Sequence, residues 1–126
     1  MRLLALVLLL STSSASWAGA QESASNDAWL LGVWEKTRDE DRDRPDTLKF
    51  QADGTFVAYG PGCEEKVYPF HIHKGNVYLD ITIPGQGPVA LVYRPDQART
   101  SLTFTSPRTL NNATYERVPD PTCGKG

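Results

Sequence analysis

Eight short apolar or alternating segments follow one another along this 126-residue chain, separated by Gly, Pro, Asn and Asp. Alternation is clearest where Val77, Leu79 and Ile81 share one face of a strand while Tyr78 and Asp80 share the other. No window of eleven or more residues shows a helical period. The pattern predicts an all-β barrel or sandwich with strands at residues 31–38, 46–51, 55–60, 65–73, 76–83, 88–94, 101–105 and 112–118.

Two dipeptides predict tight hairpin turns between these strands. Asp53-Gly54 and Gly75-Asn76 carry residues that tolerate the positive φ of two-residue turns. Before the first strand, residues 26–31 predict at most a short turn that Asn26 or Asp27 could cap.

The first twenty residues have the features of an export signal. Arg2 is positive, residues 3–10 form an apolar run too short to cross a bilayer, and Ala18-Gly19-Ala20 suits a signal peptidase. We therefore expect a periplasmic or secreted protein without a membrane span. Its organisation would be a signal peptide at 1–20, a flexible leader at 21–28, a barrel at 29–118 and a C-terminal tail at 119–126 tied by a disulfide.

The two cysteines, Cys63 and Cys123, both lie in the exported part, where a disulfide persists. They allow one intramolecular pairing, which would stabilise the fold by about 4 kcal/mol in the chain-entropy model. A metal-bound pair or a reactive thiol are the alternatives, although neither cysteine has a second Cys or a His at ligand spacing. The sequence favours the disulfide.

The charge of the chain argues against nucleic acid as a partner, and two segments differ from the strands around them. A net charge of −2, with signs mixed, is too weak for nucleic-acid binding. Residues 35–46 hold ten charged positions out of twelve, and residues 84–88 form a second irregular loop rich in Pro and Gly. Each is either a solvated loop or part of a binding surface.

A family resemblance rests on the first and last strands. Gly32-Val33-Trp34 resembles the lipocalin Gly-x-Trp motif, and Arg117 stands where that family's arginine packs over the tryptophan. The chain is most similar to the compact lipocalin-like, calycin-type domains of bacterial exported proteins. The resemblance implies a small antiparallel eight-stranded barrel, with Gly32, Trp34 and Arg117 closing one end structurally through a cation–π contact of about 0.5–2 kcal/mol. The chain departs from the family in its short length and in lacking a Thr-Asp-Tyr motif and a C-terminal helix.

His71 and His73 are the only clustered side chains of metal-ligand type. Residues i and i+2 of a strand share a face, so both imidazoles could chelate Cu²⁺, Ni²⁺ or Zn²⁺ with a third group. Phe70 and Ile72 look like the core side of the same strand, which places the histidines outward. They are either two surface histidines or a metal or proton-linked site.

The sequence contains no recognisable catalytic arrangement. It has no serine nucleophile motif and no glycine-rich phosphate loop that opens a helix. Clustered carboxylates occur only in the charged segment 35–46, where solvation would keep their pKa values ordinary. We therefore predict a protein that is not an enzyme and needs no cofactor.

The favoured function is an exported, non-catalytic binding protein for a small apolar or amphipathic ligand. Tyr59, Tyr78 and Tyr93 are the candidate pocket residues. The alternative is a periplasmic inhibitor or immunity-type protein that binds an envelope-directed enzyme through residues 35–46 and 84–88; surface metal binding through the two histidines is a third. A hollow interior of roughly 300 Å³ or more would favour the carrier, and a filled core would favour the protein-binding module.

Overall fold

Eight antiparallel strands close into a barrel in the computed structural model, which describes residues 27–125. Each strand pairs with its successor, and β8 pairs with β1, so the sheet has no end. The all-β prediction and the number of strands are confirmed. The strands are β1 (Gly32–Asp39), β2 (Thr47–Phe50), β3 (Thr55–Tyr59), β4 (Glu65–His73), β5 (Asn76–Ile83), β6 (Gly87–Pro95), β7 (Ser101–Thr105) and β8 (Asn112–Glu116).

The predicted signal peptide at 1–20 and most of the predicted leader lie outside the described residues. The leader's last two positions belong to a turn at 27–30, in which the Leu30 amide donates to the Asp27 carbonyl at 2.9 Å. Leu30 is fully buried, so this turn anchors the entry into β1.

The β4–β5 hairpin turn lies one residue earlier than its sequence signal indicates. Lys74 and Gly75 both have positive φ, of 51° and 81°, as a two-residue turn of matching twist requires. Asn76 is not a turn residue, because it pairs with His73 as the first residue of β5.

Loops of successive hairpins alternate between the two ends of the barrel. One end, here called the closed end, carries loops 51–54, 74–75 and 96–100 together with the N-terminal turn. The other, the open end, carries loops 40–46, 60–64, 84–86 and 106–111. The interior is filled toward the closed end, where the largest fully buried side chains are Trp34, Phe50, Phe56, Leu30, Leu79, Leu102 and Val77.

The closed end is sealed by an arginine over a tryptophan. The Arg117 guanidinium carbon lies 4.7 Å from the Trp34 ring centroid, and Arg117 Nη2 donates to the carbonyls of Trp29 and Leu31. Trp34 Nε1 donates to the Leu30 carbonyl at 2.8 Å, which satisfies the one polar atom of a fully buried ring. A Cβ on Gly32 would lie 2.8 Å from Arg117 Nη1, so glycine provides the space that the guanidinium occupies.

A second, smaller apolar cluster lies outside the barrel. The C-terminal tail returns along β3, where the Cys63–Cys123 disulfide joins it to the β3–β4 loop. Cys123 packs there with Val57 and Tyr59, and all three are buried. The backbone amide of Thr122 also donates to Glu35 Oε1 at 3.1 Å. The tail therefore covers one side of the barrel.

β5 and β6 stay paired with each other at the open end beyond the residues that pair with β4 and β7. Only Tyr93–Pro95 of β6 pair with β7, and Asp80–Ile83 of β5 pair with β6 but not with β4. The two strands form a ribbon that rises beside the mouth of the barrel. Its inward residues include Ile81 and Leu91, both partly buried against the core.

We expect Gly32→Ala to destabilise the barrel in two ways, by straining a backbone with a φ of 109° and by crowding Arg117. Overpacking of this kind costs about 1–3 kcal/mol, so that part of the loss should disappear when the substitution is made in an Arg117→Ala background. Chemical denaturation followed by tryptophan fluorescence measures the cycle. Gly75→Ala is the matched control: it also has positive φ but meets nothing within 4 Å, so its cost should be equal in both backgrounds. An equal cost for Gly32→Ala in both would contradict the contact.

Replacing both cysteines by serine should reduce the free energy of unfolding by about 2–4 kcal/mol, because the unfolded chain regains the freedom of a long loop. The sequence separation of the two cysteines is 60 residues. Urea unfolding measures the loss, and hydrogen exchange should show lost protection at the tail and β3 before the rest of the barrel. Unchanged stability would show that the tail is held by its other contacts.

Candidate functional site

Charged and aromatic side chains meet around a cavity of about 260 Å³ at the open end, here called the mouth cavity. It lies between the β1–β2 and β7–β8 loops, and Leu91 and Phe104 contribute its apolar wall. Two further depressions, of about 360 and 420 Å³, adjoin it and share Leu91 and Asp46 with it, respectively. The full lining of the mouth cavity is Lys36, Asp39, Asp41, Asp43, Asp46, Leu91, Tyr93, Phe104, Ser106, Arg108, Asn111, Ala113 and Tyr115.

The floor of the mouth cavity is built from two buried tyrosines. Tyr93 stacks on Phe104 with ring centroids 5.0 Å apart and meets Tyr115 edge-on at 5.3 Å. Tyr115 OH donates to Asp46 Oδ2 at 2.7 Å. Burial raises the pKa of both tyrosines well above its ordinary value, so both keep their protons at neutral pH. The floor therefore offers rigid aromatic surface.

Asp46 brings a carboxylate to this floor. Desolvation raises its pKa, and the hydrogen bond from Tyr115 offsets part of that rise. Among residues 27–125 the ion pairs join Lys36 to Asp39 and Lys125 to Asp120, and His71 hydrogen-bonds to Asp80, so none of these contacts involves Asp46. Asp46 therefore has no direct cationic partner among these residues, although the positive charge of Lys36 also lowers its pKa.

Asp39 differs from Asp46 because Lys36 neutralises it. Lys36 Nζ lies 2.8 Å from Asp39 Oδ2, and the two side chains are only 9% and 11% exposed. This hydrogen bond lowers the pKa of Asp39, with a further contribution from the Asp41 amide. The pair forms part of the cavity wall as a unit with little net charge.

The two loops beside the mouth cavity are joined by polar contacts. Asp41 accepts hydrogen bonds from Thr109 Oγ1 and Asn111 Nδ2, both at 2.7 Å. Glu40 accepts one from the Asn112 amide at 2.6 Å. Of the charged segment 35–46, the first part lies in β1 and the rest is an ordered loop rather than a freely solvated one.

Asp39, Asp41 and Asp43 also bring carboxylate oxygens within 4.8 Å of one another. Such oxygens are the ligands that hard divalent cations prefer. However, Asp39 already pairs with Lys36, and Asp41 already accepts hydrogen bonds from the β7–β8 loop. The group therefore acts here as a negatively charged wall with few free ligand positions.

The three tyrosines predicted to line a pocket do not meet. Tyr93 lies in the floor of the mouth cavity, Tyr59 lies outside β3 under the C-terminal tail, and Tyr78 lies outside β5. Strand alternation explains the difference, because Val77 and Leu79 face inward and leave Tyr78 facing outward.

Other residues of the mouth cavity were missed by sequence reasoning. Tyr115 could have been found from Ala113, since both are buried and alternate along β8. Asp46 could not, because its sequence context is a run of charges of both signs. The mouth cavity, at about 260 Å³ and partly polar, is also below the apolar volume expected of a carrier of drug-sized ligands.

Comparison of the chain with protein-family models, curated protein sequences and solved structures finds no significant match. Within residues 27–125, no helix is long and apolar enough to cross a membrane.

Asp46→Asn should raise stability at neutral pH, because it keeps an acceptor for Tyr115 and removes the desolvated charge. A raised folded pKa means that the aspartate disfavours folding above that pKa and has no such effect below its ordinary value of 3.8. The melting-temperature advantage of the variant should therefore appear as pH rises through the acidic range and vanish near pH 3.5. Asp120→Asn, on the exposed tail, is the control. A less stable variant at pH 7 would show that the charge is favourable.

Proposed function

We propose that this protein binds a small amphipathic organic cation in the mouth cavity. The observation that carries the proposal is Asp46: a desolvated carboxylate without an ion-pair partner among the described residues, at the floor of a cavity walled by aromatic rings. An ammonium group would supply the missing charge. The apolar part of the ligand would lie against the surrounding side chains.

The lining supports this chemistry in two ways. Tyr93, Tyr115 and Phe104 provide ring faces, which attract cations, and apolar ring surface for the hydrocarbon part of a ligand. Asp41 and Asp43 add negative charge at the rim, which raises the local concentration of cations. The lining has four acidic side chains and two basic ones, Arg108 and the paired Lys36. The volume suits a ligand smaller than drug size.

The proposed family is lipocalin-like. The closed eight-stranded barrel and the contact of Arg117 with Trp34 beside Gly32 support this assignment. In that arrangement the sealed end is structural and ligands enter at the opposite end. The proposed task is binding without catalysis.

The proposed location is periplasmic or secreted. The Cys63–Cys123 disulfide supports an oxidising compartment. The export signal predicted at residues 1–20 would deliver the chain there.

Binding of an envelope enzyme remains the alternative proposal. Loops 40–46 and 84–86 belong to the same end of the barrel, as a shared protein-binding edge would need. Leu110, in the loop 106–111 at the same end, is 75% exposed and offers apolar surface for a protein contact.

Ligands that share one body and differ in head group test the small-molecule proposal. An arylalkyl amine should bind, while the matched neutral alcohol and carboxylate should bind at least about tenfold more weakly, a difference of about 1.4 kcal/mol. Amine affinity should rise with pH through the acidic range, because the bound cation favours ionised Asp46 and its pKa is raised in the free protein. Isothermal titration calorimetry at several pH values measures both effects.

Asp46→Asn should remove the preference for the amine, whereas Asp120→Asn should keep it. Equal binding of amine and alcohol would contradict a charge-based site. If no member of the series binds, and native mass spectrometry of the protein from its own host recovers a protein partner instead, the alternative proposal is supported.

A further inference from the structure

The outer face of β4 and β5 carries a group of side chains that the mouth cavity does not use. His71 and His73 are two residues apart on β4, so both point away from the core that Phe70 and Ile72 contact. Tyr78 pairs with His71 across the strands. These residues form a continuous polar and aromatic patch with Asp80, the next outward residue of β5.

His71 is held in one orientation from two sides. Its Nδ1 lies 2.7 Å from Asp80 Oδ2. The Tyr78 ring stacks on the imidazole with centroids 5.0 Å apart and an interplanar angle of 10°. With Nδ1 engaged by the carboxylate, Nε2 is the nitrogen left with a lone pair for a metal ion. Histidines that ligate metals characteristically donate their other ring N–H to a carboxylate in this way.

His73 stands beside this oriented imidazole. Its ring meets the edge of Tyr78 at 6.1 Å, so both histidines contact one tyrosine on the same side of the sheet. His73 is exposed, and the His71 side chain is 53% exposed, which leaves both open to an ion from solvent. Imidazole nitrogen is a preferred ligand of Zn²⁺, Ni²⁺ and Cu²⁺, and affinity in that series is highest for Cu²⁺.

We propose that His71 and His73 form a two-histidine site for a late first-row divalent metal ion, with Cu²⁺ bound most tightly. Asp80 is the positioning residue, acting through His71 Nδ1. Water completes the coordination, so the ion stays accessible to a further ligand. The site is on the outer surface and shares no residue with the mouth cavity. Its test is therefore independent of the proposed binding of an organic cation.

Calorimetric titration of the disulfide-bonded protein with Cu²⁺ tests the site. We expect one equivalent to bind, and His71→Ala and His73→Ala each to abolish stoichiometric binding. Both side chains are exposed, so these variants should keep the wild-type melting temperature. Tyr78→Phe is the matched control, because it keeps the stacked ring and should leave Cu²⁺ affinity unchanged.

Asp80→Asn tests the positioning role. It should weaken Cu²⁺ binding by about 10- to 100-fold. It should also change the remote-nitrogen signal of one of two imidazoles in pulsed electron paramagnetic resonance, which a merely structural substitution would leave alone. Unchanged affinity and signal in Asp80→Asn would overturn that role. Equal Cu²⁺ binding by the His71→Ala/His73→Ala variant, or a spectrum with oxygen ligands only, would overturn the site and direct attention to the carboxylates at Asp39, Asp41 and Asp43.

Discussion

The barrel depends on one contact cluster at its closed end. The ring of Trp34 is fully buried, and its single polar atom is satisfied by the Leu30 carbonyl. Arg117, just after β8, covers that ring and donates to two carbonyls of the segment that precedes β1. The cluster therefore ties the residues on either side of the β1–β8 seam, where the sheet closes. Gly32 provides the space without which the guanidinium could not approach.

Sealing one end leaves the free volume at the other. β6 has nine residues and its neighbour β7 has five, and β5 pairs with β4 only as far as Leu79, so β5 and β6 separate from both neighbours at the open end. Inward side chains at the closed end pack against one another, whereas those at the open end border the mouth cavity. Loops 40–46 and 106–111 complete the mouth and are joined through Asp41, which gives the mouth cavity a fixed wall. Order at this rim is a product of polar contacts rather than of apolar packing.

Much of the fold could be predicted from the sequence because apolar and polar residues alternate with a two-residue period along the strands. The strand bounds lie within about two residues of those that alternation and turn residues indicate. The outward direction of His71 and His73 follows from the same period. Tyr59 and Tyr78 were grouped with Tyr93 by residue type, although the alternation of Val77 and Leu79 already placed Tyr78 outside.

The chemistry of the mouth was not predictable in the same way. Asp46 is one of ten charged residues in a twelve-residue segment. Only the fold shows that this one accepts a hydrogen bond from Tyr115, whereas Asp39 pairs with a lysine. The partners that separate the two aspartates differ in kind: Lys36 is three residues away in sequence from Asp39, whereas Tyr115 is sixty-nine residues away from Asp46. The contact of Lys36 with Asp39 can be predicted from neighbouring residues in the sequence, whereas that of Tyr115 with Asp46 cannot. The contact of Asp80 with His71 is intermediate in predictability, because it can be predicted once the register of the β4–β5 hairpin is known.

The charge on Asp46 is the strongest physical reason to place function at the open end. A hydrogen bond from Tyr115 requires only an acceptor, which a neutral amide would supply without the cost of desolvating an ion. Lys36, the cation nearest in the wall, is already engaged by Asp39. Because desolvation raises the pKa of Asp46, we expect its ionised carboxylate to weaken the fold at neutral pH. A neutral apolar ligand would bury that carboxylate further and increase the cost, whereas a cation would offset it. The positive charge of the proposed ligand thus rests on the energetics of one partly buried carboxylate, independently of the shape of the cavity.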